Sequence, residues 1–166
     1  MLRKEELIKK LQLEKHPEGG YFKETYRSEI LLPKSVLPSE FTSGRNASTC
    51  IYFMLTSDEF SAFHKVNQDE AWHFYLGETI TLHMISPEGE YSQVSIGNDF
   101  GQNETPQFVV PAQHWFAAEI KTEDSFALVG CTVAPGFDFD DFELAEQQEL
   151  QQIFPQHKEI IEKLTR

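Results

Sequence analysis

The residues best placed to do chemistry lie between Ser61 and Glu78, in the stretch SAFHKVNQDEAWHFYLGE. His64 stands on one side of the polar triplet Asn67-Gln68-Asp69 and Glu70 on the other. A strand sends alternate side chains to one face. His64 and Val66 therefore share a face of a first strand, and Glu70, Trp72 and Phe74 a face of a second. Joined as a hairpin with those faces together, the strands bring an imidazole and a carboxylate into an apolar, aromatic wall. That pairing suits proton transfer, in which a carboxylate fixes the tautomer of an imidazole whose pKa lies near the working pH. It also suits a metal ion or a polar ligand. A structural reading stands beside these, because buried histidine–carboxylate pairs also occur as satisfied core polar groups.

The elements that must hold these residues are mostly short strands. Ser48–Leu55, STCIYFML, is apolar almost throughout and reads as central. Thr79–Ile85, Tyr91–Ile96, Phe108–Val110, His114–Ile120 and Phe126–Val133 follow with turn residues between them, the pattern of an all-β sandwich or barrel. Tyr21–Ser28 alternates with charge on both faces, as an edge strand or one lining a wet cavity does. Arg27 on it is a candidate clamp for an anionic ligand, or half of a surface ion pair. Ahead of this strand, Leu7, Ile8 and Leu11 give residues 3–13 a helical stripe. His16-Pro17-Glu18-Gly19-Gly20 then reads as a helix-to-strand turn, or as a loop whose backbone closes one end of a pocket. Residues 30–46 form a long irregular loop of the kind used as a lid, a binding loop or a subunit contact. Near the C-terminus, Asp140 with Glu143 fits a helix capping box better than a calcium loop. The helices that follow, with Leu150, Ile153, Phe154, Ile160, Ile161 and Leu164 as apolar stripes, are expected outside the β core.

Composition bounds the answer. The 166 residues suit a single domain spanning 1–166, and fourteen phenylalanines point to ring-filled packing. Fourteen basic against 27 acidic residues leave a net charge of −13, which repels a phosphate backbone, so nucleic acid is not an expected partner. No apolar run approaches the roughly 18 residues of a spanning helix. The basic start MLRKEELIKK lacks the apolar core of a signal peptide. A cytoplasmic protein without membrane contact is the expectation, with Cys50 and Cys131 as reduced, buried thiols.

Against this reading, the chain resembles a cupin. The first cupin motif is filled by His64, Val66, Glu70 and Gly77, with valine in place of its second histidine; in the second, Pro111 matches while Gln113 and Phe116 replace a glycine and a histidine. Four segments in order, HPEGGYFKETYRS (16–28), FHKVNQDEAWHFYLGE (63–78), PQFVVPAQHWFAAE (106–119) and GCTVAPGFDFDDFELA (130–145), resemble the cupin-5 family, a domain of unknown function within that superfamily. The resemblance implies a mainly β fold: a cupin-type double-stranded β-helix (jelly-roll) barrel with an N-terminal helix and C-terminal helices packed outside, often assembled as a homodimer. Metal-dependent cupins use three histidines and one glutamate. Here His64 and Glu70 remain, and Val66 and Phe116 cannot coordinate. His114, about 6.6 Å along the strand from the Phe116 position, supplies a third ligand only after local rearrangement.

The strand Gly20–Arg27 also looks like the entry strand of metal-free cupin epimerases that act on nucleotide-linked deoxysugars. In those enzymes a barrel histidine removes a proton beside a ketone, and His64 occupies the comparable position. Glu70 is then the candidate orienting partner, with an acid left open among Tyr21, Tyr26, Tyr52 and Tyr75. The acidic chain argues against a diphosphate nucleotide unless Arg27 and Lys23 cluster. The expectation is therefore a small polar, carbohydrate-like ligand bound at a centre of His64 and Glu70, with Arg27, Trp72, Phe74, His114 and Phe116 in contact with it. Trp115 falls on the other face, toward a rim or a dimer, and His73 reads as a packed or interface histidine. Three functions follow: a metal-independent isomerase or epimerase with no cofactor; a metal-dependent dioxygenase or isomerase holding a divalent ion on His64, Glu70 and His114; and a non-catalytic small-molecule-binding protein.

Overall fold

The computed structural model describes residues 3–166. Its elements in chain order begin with α1 (Lys4–Leu11), β1 (Glu14–Lys15), β2 (Tyr21–Arg27), β3 (Leu31–Leu32), β4 (Arg45–Asn46) and β5 (Thr49–Thr56). Then come β6 (Ser61–Lys65), β7 (Asp69–Gly77), β8 (Ile80–Ile85), β9 (Tyr91–Ile96), β10 (Gln107–Val110), β11 (Trp115–Glu119) and β12 (Phe126–Ala134). The chain closes with β13 (Glu143–Leu144), α2 (Gln147–Ile153) and α3 (Lys158–Lys163). Two antiparallel sheets carry the fold, one ordered β1-β2-β5-β12-β7-β10 and the other β13-β6-β11-β8-β9, with β3 and β4 as a separate ribbon. This is the expected jelly-roll topology.

The alternation within strands explains the layers. On β5, Phe53 and Leu55 turn inward to meet Trp72, Leu82, Phe116 and Val129 between the sheets, while Met54 turns outward beneath Leu7 and Leu13. That two-sided burial is why Ser48–Leu55 reads as nearly continuous apolar sequence. Every residue of β8 is buried for the same reason: Leu82 and Met84 face the inter-sheet core, and Ile85 packs beneath the C-terminal segment with Phe63 and Trp115. Leu150, Phe154, Ile161 and Leu164 supply the other half of that outer layer. Trp115 is thus covered by the chain's own helices, not held at a rim or dimer face.

Three further expectations change. The Ser61–Glu78 stretch is no hairpin: β6 and β7 belong to different sheets, and residues 66–68 carry the chain across the sandwich. Its faces still meet, but through the core and not along a shared ladder. The segment after Asp138 does not start a helix either. Asp138 accepts the backbone N–H of Asp140 in a single 3-10 turn, β13 follows, and Glu146 caps α2 by accepting Glu149 N–H. And β11 begins at Trp115, because Gln113 takes a left-handed conformation (φ 65°) and its N–H is tied to Val66 O at 3.0 Å. The cupin motif places glycine at that position, and the positive φ accounts for it.

The long loop is ordered by a buried ion pair. Arg45 presents Nε and Nη2 to the two oxygens of Asp141, both at 2.7 Å, and Asp141 also accepts Gln68 Nε2 at 2.7 Å and Asn67 Nδ2 at 3.0 Å. The crossing turn, the 30–46 loop and the 134–145 segment are therefore pinned at one carboxylate. Both side chains are buried, although a thin layer of loop, not deep core, covers them. Arg45→Ala leaves a buried carboxylate without its cation, and a loss of roughly 3 kcal/mol of stability is expected. Urea denaturation measures it; a loss below 1 kcal/mol would show the pair to be solvated.

Candidate functional site

The crossing of β6 to β7 and the turn from α1 into β2 converge on a cavity of about 200 Å³. His64 comes from the second sheet; Phe22, Phe53, Glu70, Trp72 and Cys131 come from the first; Phe137, Phe139 and Phe142 close it from the segment after β12. Its floor is a cluster of four titratable side chains: His16, Glu18, His64 and Glu70.

Glu18 is the centre of that cluster. Gly19 and Gly20 follow it with φ of 111° and 75°, in a region closed to most side chains, and a Cβ at Gly19 would strike the carbonyl of Phe60. This forces the tight bend that turns Glu18 inward. The bend is sewn to β6: Ala62 N–H donates to Glu18 O at 2.8 Å, and Ser61 Oγ donates to Glu18 Oε1 at 2.9 Å. The other carboxylate oxygen lies 3.0 Å from His64 Nε2 and 3.4 Å from His16 Nδ1.

The protonation states follow from geometry. His64 Nδ1 faces the carbonyl of Ala62 at 2.7 Å and Nε2 faces the Glu18 carboxylate. Both neighbours are acceptors, so both nitrogens carry protons and His64 is an imidazolium. Burial alone would lower its pKa, but the charge and hydrogen bond of Glu18, with help from Ala62 O, raise it above the ordinary value. Glu18 is correspondingly lowered: the charge of His64, with its hydrogen bond and that of Ser61, overcomes the opposing effect of burial. Glu70 goes the other way. Burial first, then the negative charge of Glu18, push its carboxyl up to about 7. Beside it, burial and Glu70 hold the Cys131 thiol protonated, and the Trp72 indole N–H is buried with no partner at hydrogen-bonding geometry among the described residues.

The sequence-predicted residues divide accordingly. His64, Glu70, Trp72 and Arg27 all line the cavity. Phe116 stands opposite His64 on β11 and packs on its ring, with centroids 4.0 Å apart. Phe74 lies further along β7, against the apolar core and outside the lining. His114 sits in the turn before β11 with Nδ1 3.2 Å from Ala112 O, and does not reach the cavity. His73 is packed against Thr132 on the outer side of the sheet. Tyr21, Tyr26, Tyr52 and Tyr75 are all outside the lining, as is Lys23. The orienting partner of His64 is Glu18, not Glu70. His16 and Glu18 were hidden in a segment that reads as a turn; the only signal was an acidic residue directly before paired glycines. The aromatic cover of Phe137, Phe139 and Phe142 shows in the sequence only as a phenylalanine-rich run.

At the mouth, Arg27 is already occupied. It donates to both oxygens of Glu24 at 2.8 and 3.1 Å, to Asn46 Oδ1 at 2.9 Å and to Phe137 O at 3.0 Å. The metal set of His64, Glu70 and His114 does not fit either. His64 has no free nitrogen lone pair, His114 is elsewhere, and among the described residues no three His, Cys, Asp or Glu side chains are placed to hold an ion.

A mostly antiparallel jelly roll with its polar cluster between the sheets is the architecture of the cupin superfamily. Residues 5–145 match the family of that superfamily described as DUF985, and the chain belongs to it. A relative from Saccharomyces cerevisiae, described as an uncharacterized protein, is 35% identical over 147 residues, covering 82% of this chain and 72% of the yeast protein. The crystal structure of a Shewanella oneidensis protein matches with a TM-score of 0.89 at 43% identity, covering 100% of this chain and 99% of that one. A hypothetical protein from Leishmania major gives 0.90 at 32% identity, covering 99% of each chain. Oxalate decarboxylase from Bacillus subtilis matches at 0.55 and 13% identity, over 90% of this chain and 36% of that one, and shares the fold alone.

The Glu70 shift has a thermodynamic consequence. Between the ordinary carboxyl value of 4.5 and about 7, the folded chain keeps a proton that the unfolded chain releases, so Glu70 makes stability fall as pH rises through that window. Glu70→Gln removes the effect. The variant should match the parent near pH 4.5 and exceed it by about 3 kcal/mol at pH 8. Urea denaturation at the two pH values checks this, and an equal difference at both would mean that Glu70 is ionised when folded.

Proposed function

We propose that the chain binds a small, neutral, oxygen-bearing molecule of carbohydrate size in this cavity and shifts a proton on the carbon beside its carbonyl group, as a metal-independent isomerase or epimerase. The observation that carries the reading is Glu70, a cavity carboxyl held near the pKa at which an acid–base group works best at neutral pH. Its neighbours are the balanced His64–Glu18 pair and aromatic walls suited to the faces of a sugar. Neutrality of the ligand follows from the mouth: the Arg27 donors are committed to Glu24, Asn46 and Phe137, and Glu24 and Asp138 add negative charge. A diphosphate nucleotide finds no free cation there among the described residues.

His64 has a different part from that of a base in this scheme. As an imidazolium it offsets Glu18 and so limits how far the Glu70 pKa rises. We also propose the homodimer that the sequence resemblance implies, since Ile30, Leu31 and Val36 leave apolar side chains exposed on the 30–46 loop.

Proton exchange in D2O tests the reading directly. Unphosphorylated aldoses and hydroxyketones, followed by NMR, should take up deuterium beside the carbonyl in the presence of the protein. Glu70→Gln should slow uptake by about 10²–10⁴. His64→Ala should move the onset of exchange to higher pH, because Glu18 is then unbalanced. Tight binding of such molecules with no exchange would instead favour a non-catalytic binding protein.

A further inference from the structure

His16 is the member of the floor cluster that the proton-transfer scheme leaves idle. Its side chain is 7% exposed and lines the cavity. The ring is held edge-on to Phe22 at 4.7 Å and to Phe53 at 6.2 Å, and lies roughly parallel to Phe139 at 6.0 Å. Phe142 meets it edge-on at 5.9 Å, so four aromatic rings surround the imidazole. Its Nδ1 accepts the backbone N–H of Glu18 at 3.3 Å, so that nitrogen offers a lone pair and the ring proton of the neutral form belongs on Nε2. Nε2 has no hydrogen-bond partner among the described residues, and the ring borders open volume. Burial and the positive charge of His64 both oppose a second proton on the ring, against the pull of Glu18.

Building on the proton-transfer reading above, we infer that His16 is a catalytic residue that donates Nε2–H to the carbonyl oxygen of the substrate while the Glu70 carboxylate moves the proton on the adjacent carbon. The step balances without a further reactant. Glu70 takes the carbon-bound proton, the C–H pair becomes the C=C bond of an enolate, and the carbonyl π pair moves to oxygen. The His16 N–H faces the charge that develops there. Return of the proton from Glu70 to carbon restores the carbonyl. A neutral imidazole suits the donor's task, because an N–H of high pKa polarises the oxygen without discharging a full proton onto it, and a fixed donor needs no reorganisation. One residue, Glu18, thus sets the His16 tautomer through its backbone N–H and the His64 charge through its carboxylate.

Dihydroxyacetone in D2O is the probe, with deuterium uptake followed by NMR for the wild type, His16→Gln and Glu70→Gln. His16→Gln is expected to slow uptake by about 100-fold or more while leaving the pH midpoint, which Glu70 sets, in place. No uptake by the wild type would overturn the proton-transfer reading and this inference together. Uptake that His16→Gln leaves at the wild-type rate, while Glu70→Gln abolishes it, would overturn the role of His16 alone. The 15N chemical shifts of His16 in the wild-type protein give a second check that does not depend on activity or on a variant's folding. Protonated Nε2 with bare Nδ1 between pH 6 and 8 is expected; a doubly protonated ring, or a proton on Nδ1, would overturn the assignment.

Discussion

A single ionised carboxylate, buried between the sheets, governs the rest of the site. Charge in such a place is costly unless paired and hydrogen-bonded, and Glu18 is satisfied on every side: by Ser61, by His64 and through its own backbone by Ala62 and His16. Once its negative charge is fixed, the neighbouring states have little freedom. His64 must be a cation, since both its nitrogens face acceptors. Glu70 must resist ionising, since a second carboxylate would meet both low dielectric and a like charge. The cluster is thus one coupled system in which a structural pair, His64–Glu18, sets the acidity of a third group. That division of labour separates the residue that looks most catalytic in the sequence from the one whose pKa suits catalysis.

Holding such a cluster requires segments from distant parts of the chain to meet, and the fold does this with few local contacts. The turn from α1 to β2 is stitched to β6 by backbone and side-chain bonds to Glu18, and the crossing between β6 and β7 is pinned by Asp141 through Asn67, Gln68 and Arg45. Asp141 belongs to the same segment that supplies Phe137, Phe139 and Phe142 to the cavity. The buried ion pair therefore also positions the aromatic cover, and the 30–46 loop supports the site without entering its floor.

How much of this was legible depended on the range of the interaction. Strand alternation gave His64, Glu70 and Trp72 a common cavity, because that rule is local and survives a wrong guess about pairing: β6 and β7 oppose each other through the core where a hairpin was expected. The four family-like segments pointed to the cupin fold for the same reason, since their order along the chain reflects the strand order. His114 failed because one backbone torsion, at Gln113, ends the strand pattern that its placement assumed. Glu18 failed because nothing short-range marks a turn carboxylate as buried. Apart from His16, its partners lie on β6, Ser61 being 43 residues away, and a glutamate between proline and glycine has the composition of surface. Asp141 was lost likewise, as one acid in an acidic run whose pairing with Arg45 spans 96 residues.

The character of the cavity narrows the chemistry further than the residue list does. Its cations are paired, His64 with Glu18 at the floor and Arg27 with Glu24 at the mouth, where Asp138 adds a further acidic side chain. What remains facing the open volume is the Glu70 carboxyl, poised between its acid and base forms near neutrality, the Asp138 side chain, a neutral imidazole, an indole N–H, a thiol and six phenylalanine or tryptophan rings. A phosphate or carboxylate entering such a space would surrender its hydration and find no unpaired cation in the lining among the described residues. A polyol or ketone surrenders less, and His16 and Trp72 line the space with N–H donors. Hydrogen-bond donors without net charge, in a medium of low dielectric, interact weakly with a neutral carbonyl and strongly with the partial negative charge that develops when its neighbouring C–H bond breaks. On the proton-transfer reading proposed above, such donors would favour an enolate over the ketone it comes from, and that preference would belong to the site as a whole more than to any one side chain.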